Sequence, residues 1–221
     1  MRNCSAWVNA IWMAAVVCCS AAAQTAPAKE TPANETKRLP PRAAPTDYQA
    51  RAKVGAITIA ADFQRHAVPT PDATFNDEDY VTVEVAFFGP PEARLKISSG
   101  DFSLRINDKP KPLESRPYGM VLSSLKDPSW EPPDTGEKKS KTGLNTGGQP
   151  GDSAPAVVHM PFPLQRAMEQ KVQKAALPEG ERVLPEAGLI FFSYHGKDKG
   201  VRSVELTYSG AAGKALLRLT P

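Results

Sequence analysis

Apolar and polar positions alternate along Tyr80-Val-Thr-Val-Glu-Val-Ala-Phe-Phe88, with Val81, Val83, Val85 and Phe87 on one side and Thr82, Glu84 and Ala86 on the other. A period of two sustained over that length predicts a half-buried β-strand. Shorter pieces repeat the pattern. Ile57, Ile59, Ala61 and Phe63 share one face of a strand over 54–63, Phe102, Leu104 and Ile106 alternate with Ser103 and Arg105, and Val204, Leu206 and Tyr208 face one way in 201–208. Leu217 with Leu219 closes the set. Gly188 to Tyr194 is apolar on both faces, as a central strand covered on both sides would be. Gly89-Pro90-Pro91 ends the central strand, because proline cannot donate to a ladder. Ala93 to Ser98 is a short further piece. Asn107-Asp108-Lys109-Pro110 is a turn after which 111–115 runs back as a hairpin partner, and 118–125 reads as one more strand.

The pattern changes once. Leu164, Met168, Val172 and Ala175 or Ala176 recur at helical spacing within 164–177, and Pro178 and Gly180 stop the helix. Its apolar stripe is narrow, so it is expected to pack on the edge or end of the sheet, the alternative being a partner-binding helix. Before it, Asp127 to Pro155 is rich in Pro, Gly, Ser, Lys and Asp, too long for an ordinary loop. The region from about 126 to 186 is therefore read as an insertion with a mobile loop. About seven short strands with frequent turns otherwise predict an all-β sandwich with a single core.

The amino terminus changes the picture of where the chain works. Arg2 supplies a positive start, Ala6 to Val17 is mostly apolar, and Ser20-Ala21-Ala22-Ala23 offers small residues for a signal peptidase. These features predict a secretory signal, 1–23, cleaved after Ala23. An uncleaved anchor is the rival, but Asn9 interrupts the apolar run. Lipidation at Cys18 or Cys19 is a third reading, against which Val17 and Cys18 are not the small residue expected before a modified cysteine. The mature chain is thus expected to be periplasmic or extracellular, without a lipid anchor or a membrane span. From 24 to 47 the chain is rich in Pro, Ala, Thr and charge, the composition of a disordered tether, and 48–221 forms the folded domain.

All three cysteines, Cys4, Cys18 and Cys19, lie in that presequence. A cleaved chain has no disulfide, no cysteine nucleophile and no thiolate metal site. Cleavage removes Arg2 and no acid from the 27 basic and 24 acidic side chains, so the charge stays near neutral. The densest basic run, Glu137-Lys138-Lys139-Ser140-Lys141, has no aromatic interleaving, and nucleic-acid binding is not expected.

Short strings that imitate catalytic motifs fall in the wrong context. Ser123-Ser-Leu-Lys126 and Lys141-Thr-Gly143 match two motifs of penicillin-binding enzymes, but the middle motif is missing and the second string sits in a loop. Gly151-Asp-Ser153 lacks a nucleophile elbow. His66, His159 and His195 have no metal-helix spacing, there is no phosphate loop or dinucleotide fingerprint, and no cofactor is expected. Asp77 and Asp79, in the acidic turn 76–79, are weak candidates for calcium ligation, with a solvated turn preferred. The binding candidates are Trp130, between prolines at the mouth of the insertion, Tyr118, and the helix residues Leu164, Met168 and Val172. Tyr80, Tyr118, Trp130 and Tyr194 are the aromatics a carbohydrate platform would have to use.

The strands at Tyr80 to Phe88 and Asp101 to Ile106, with the closing pair Gly188 to Phe192 and Val204 to Tyr208, resemble small secreted bacterial domains with an immunoglobulin-like sandwich, many attached to lipoproteins and without assigned function. The resemblance covers about half the chain and leaves out the insertion. It implies an immunoglobulin-like β-sandwich and an envelope or extracellular protein-interaction domain rather than an enzyme. A carbohydrate-binding module is the alternative function, and an uncharacterised hydrolase the third.

Overall fold

The computed structural model describes residues 38–130 and 160–221. The expected signal peptide with its cysteines, the tether up to residue 37, and the strings at 137–141, 141–143 and 151–153 together with His159 lie outside the described residues. After a 3-10 turn at Pro45–Asp47 come β1 (Ala50–Val54), β2 (Ile57–Arg65), β3 (Ala67–Pro69), β4 (Thr74–Asp77), β5 (Tyr80–Phe88), β6 (Arg94–Ile97), β7 (Phe102–Ile106) and β8 (Leu113–Arg116). A helical turn α1 (Tyr118–Val121), β9 (Leu125–Lys126) and helix α2 (Phe162–Ala175) follow, then β10 (Gly180–Val183), β11 (Glu186–Ser193), β12 (Val204–Gly210) and β13 (Gly213–Leu219).

Eight strands form one antiparallel sheet in the order β1-β2-β5-β11-β8-β7-β12-β13. Its two edge strands, β1 and β13, lie against each other, with Val54 at the end of β1 reaching Gly213 at the start of β13. The sheet is therefore nearly closed into a barrel, and the expected two-sheet immunoglobulin-like sandwich is not formed. Alternation shows which face of a strand is buried but not how many sheets supply the opposing faces. Here the inward faces meet in one interior, where Val83 and Phe87 of β5 pack with Leu104 of β7, Leu206 of β12 and Leu217 of β13. Phe87, Phe102 and Tyr208 fill it with edge and tilted ring contacts at centroid separations of 6.0, 5.8 and 5.0 Å. The β6–β10 pair adds Leu95 and Ile97.

A second layer covers part of the exterior. The three-stranded sheet β3-β4-β9 and both helices bury Val68, Phe75, Val121, Met168 and Val172 against Leu189 and Phe191 on the outer face of β11. The two-sided apolar pattern of β11 follows from this cover. At β5, Thr82, Glu84 and Ala86 are buried too, Ala86 in a further cluster with Tyr48, Ala60 and Ala187 and Glu84 beneath Arg42, so that the expected half-burial becomes burial on both faces. The segment expected as a strand over 118–125 is instead α1 followed by the two residues of β9, because Val121 and Leu125, four residues apart, both turn into the outer core. Helix α2 matches its expected position within two residues at each end. Leu177 just beyond it belongs to the barrel interior.

Past α2 the backbone crosses β11 closely. Ala176 bridges Leu189 in parallel, and the Leu177 amide donates to the Leu189 carbonyl at 2.9 Å. A Cβ on Gly188 would overlap the Leu177 backbone, so only glycine admits the crossing. We predict that Gly188→Ala lowers stability by about 1–3 kcal/mol in urea unfolding, since backbone must shift to accept it. Gly119→Ala, where the added carbon meets nothing within 4 Å, should leave stability unchanged or slightly higher. Equal stability for both variants would refute the close-crossing account.

Candidate functional site

Polar chemistry on the covered face begins with a clamp. Asp62 of β2 and Glu84 of β5 are 7% and 6% exposed, too buried to stay charged without a partner. Arg42 supplies it, with Nη2 2.5 Å from Asp62 Oδ2 and 2.9 Å from Glu84 Oε2. The Gln49 amide donates to Asp62, Gln64 Nε2 donates to Glu84 at 3.2 Å, and the guanidinium lies 4.5 Å over the Tyr48 ring. Burial acts to lower the Arg42 pKa, but the hydrogen bond and charge of Glu84, followed by those of Asp62, outweigh it and raise the value. Burial also pushes the Tyr48 phenol up. The clamp holds residues 38–49 onto the sheet. It is internally satisfied, which suits a structural network rather than a reactive one.

The acidic turn is divided in two. Asp77 is 1% exposed, and its Oδ1 accepts the amides of Asp79 and Tyr80, both at 2.8 Å, while Ser124 Oγ donates to its carboxylate at 3.0 Å. Its Oδ1 is thus engaged by protein donors. Asp79 faces elsewhere, 3.0 Å from Nδ1 of the exposed His195. His66 ties this corner together, its ring nitrogens each 2.9 Å from the carbonyls of Tyr80 and Gly196. A cavity of about 750 Å³ opens beside it. Among the described residues, no group of three or more His, Cys, Asp and Glu converges as a metal site.

The strings that imitate catalysis are engaged separately. Ser123 Oγ donates to the Met120 carbonyl at 3.2 Å, while Lys126 Nζ pairs with Glu78 at 2.7 Å. Trp130 is half-buried in a turn where its amide donates to the Asp127 carbonyl at 3.1 Å. Met168 and Val172 are core residues of the outer layer, against which Tyr118 packs. Leu164 is 50% exposed, beside Phe162 at 70%. The four aromatics do not share a platform, since Tyr80 and Tyr118 pack on the outer cluster while Tyr194 packs on the inner one and stacks on His66.

The feature best suited to holding a ligand is a cleft of about 420 Å³ between the end of α2, β11 and the start of α1. Leu189 and Phe191 give it an apolar wall, Tyr118 and Gln173 polar edges, and Arg38 and Arg116 two cations. Neither arginine has an ion-pair partner among the described residues. The rim carboxylate, Glu179, instead accepts from Ser99 Oγ at 2.6 Å. Of the sequence candidates, Tyr118 alone lines this cleft. Arg38 sits in a stretch whose composition reads as tether, and Arg116 ends a short strand with weak alternation, so neither stands out in the sequence. Glu84, a charge inside an apolar strand, was the available sign that an arginine must lie opposite.

A near-closed antiparallel barrel with a helical outer layer is thus the class of structure in hand. No family model and no curated protein matches the chain. Among solved structures it is similar to a putative lipoprotein (ycdA) from Bacillus subtilis, at 12% sequence identity and a TM-score of 0.34, over 77% of this chain and 38% of that one. The chain spans less than half the length of that protein. Among the described residues, no helix is long and apolar enough to cross a membrane.

Burial holds the Asp77 carboxyl above its ordinary value of 3.8 despite its amide donors. The native state therefore binds the proton more readily than the unfolded one. Stability carries a component that is full below the ordinary carboxylate pKa and is lost as pH rises through the raised native value. Asp77→Asn keeps an oxygen for both amides and removes this component, so at pH 7 it should match or exceed the parent in urea unfolding. Asp77→Ala leaves both amides without an acceptor and should lose about 1–3 kcal/mol. A calcium-dependent rise in melting temperature that disappears in Asp77→Asn would show instead that the carboxylate serves a metal.

Proposed function

We propose that the chain is an exported, non-enzymatic interaction domain that grips an acidic segment of an envelope or extracellular protein in the Arg38–Arg116 cleft. The observation that carries this reading is the pair of guanidinium groups without carboxylate partners among the described residues, set beside an apolar wall. Guanidinium forks match carboxylates geometrically and, being weakly hydrated, suit interfaces. Tyr118 offers a rigid aromatic contact of the kind that anchors protein interfaces. Export is read from the presequence, and location in the periplasm or outside the cell, free of a lipid anchor, follows from cleavage after Ala23. The intact mass of the mature chain distinguishes that cleavage from acylation at Cys18 or Cys19.

The cleft is tested with a fluorescein-labelled peptide in which glutamates flank a leucine, followed by fluorescence anisotropy. The parent should bind it and discriminate against the same peptide with glutamines. Each charge-assisted contact is worth about 1.5–3 kcal/mol, so Arg38→Gln/Arg116→Gln should weaken binding by at least about tenfold while the far-ultraviolet circular dichroism stays unchanged. Equal binding of the two peptides, or an unaffected double variant, removes the cleft as the contact site.

A further inference from the structure

The outer layer covers only part of the barrel. On β7, β12, β13 and β1 the side chains that point outward are exposed, or half-buried at Ser103 and Glu205, and they alternate with the interior residues. Arg105 stands on β7, Lys214, Leu216 and Arg218 on β13, and Arg51 and Lys53 on β1. The pairing sets them in rows. Glu205 of β12 lies between Arg105 and Arg218, opposite both in register, with Arg218 Nε 3.2 Å and Arg105 Nη1 3.9 Å from its carboxylate. Leu216 is opposite Thr207 in the adjacent row, and Lys214 is opposite Ser209 beyond it. Val54 reaches Gly213, so the neighbouring Lys53 and Lys214 lie at the same end of the seam. Five cations thus gather around one leucine that is 52% exposed; of the two acids these rows reach, Glu205 is already shared between two of the cations, and Glu114 of β8 stands at the far end of the leucine's row, beyond Thr207 and Ser103.

Such a face does not suit a second copy of this chain, which would bring the same cations against it. None of its side chains lines any of the four cavities lined by Arg38, Met168, His66 or Pro110. Long basic side chains around an apolar one match a fluid layer of anionic headgroups. The cations would meet phosphates, their aliphatic stems would lie along the apolar boundary, and Leu216 would enter it.

We propose that this uncovered face docks on a bilayer containing anionic phospholipid. The site is independent of the Arg38–Arg116 cleft, which lies by β8, β11 and the helices. Each Lys or Arg near an anionic leaflet contributes about fivefold in affinity, and the effect is screened by salt. The experiment is cosedimentation of the full chain without its presequence, using vesicles of equimolar phosphatidylcholine and phosphatidylglycerol, against vesicles of phosphatidylcholine alone. The expected result is binding only to the anionic vesicles, reversed by salt. Lys53→Glu/Lys214→Glu should weaken it by about 25-fold or more while leaving the acidic-peptide affinity of the cleft unchanged. Leu216→Ser should weaken it by about threefold or more through lost apolar insertion. Both variants replace exposed side chains, and their fold is checked by thermal melting. Absence of binding to anionic vesicles, equal binding to neutral ones, or an undiminished Lys53→Glu/Lys214→Glu variant overturns the proposal. So does binding that soluble polyglutamate abolishes while Leu216→Ser leaves it intact, because the face would then recognise an acidic macromolecule.

Discussion

Covering β5 and β11 on both faces is the constraint on which the rest of the structure depends. A strand buried on one side can leave its polar alternates in water, but one buried on both must pair them. Asp62 and Glu84 face outward from the barrel and are still nearly inaccessible, so the chain brings Arg42 from a segment far away in sequence to neutralise them. Asp77, on the one buried face of β4, is likewise supplied with two amides and a hydroxyl. Thr82 Oγ1, on the same outer face of β5, has no partner among the described residues. An unpaired hydroxyl of this kind costs about 1–3 kcal/mol, which the apolar burial on both sides must offset.

The same constraint explains what was legible in the sequence. Alternation located β5, β7, β11 and β12 because their inward residues all meet one core, and helical spacing located α2 because Met168 and Val172 share one stripe. The β1–β2 hairpin is only partly covered by the strand expected over 54–63, which runs through the turn and leaves 50–53 unassigned. Its turn rests on Gly55 at φ 61°, a conformation that a lone glycine does not announce. β3, β4 and β9 are too short for a period to show, and β10 carries almost no apolar residue. Closure is a property of strand order and of the meeting between β1 and β13, far apart in the chain, so a local pattern could not choose between barrel and sandwich.

The candidate site was less legible than the fold for a related reason. Composition distinguishes a segment that cannot form its own core from one that can, but not a segment that is held by another core. Residues 38–47 read as tether because they carry proline, alanine and charge, yet Leu39 packs on the outer cluster and Arg42 closes the clamp. Arg38 reaches the cleft by that same anchoring. An arginine selected by two buried carboxylates therefore also sets the position of a second arginine four residues earlier, linking the stability of the sheet to the geometry of the cleft.

The barrel exterior is divided by how its strands alternate. Where both alternates are apolar or paired, as on β5 and β11, a second layer lies on the sheet and the cleft forms at that layer's edge. Where the alternates are charged, as on β13, whose exposed positions are Lys214, Leu216 and Arg218, nothing among the described residues covers them. Cations at the β1–β13 seam also discourage pairing of this edge with another chain, since a sheet that stops short of closure leaves backbone groups open to a foreign strand. Protection of the seam and attraction of an anionic surface require the same residues. The two demands can be separated, because neutral polar replacements at Lys53 and Lys214 would forfeit the attraction to anions together with the charge that guards the edge, whereas acidic replacements would retain a charged edge and reverse the attraction.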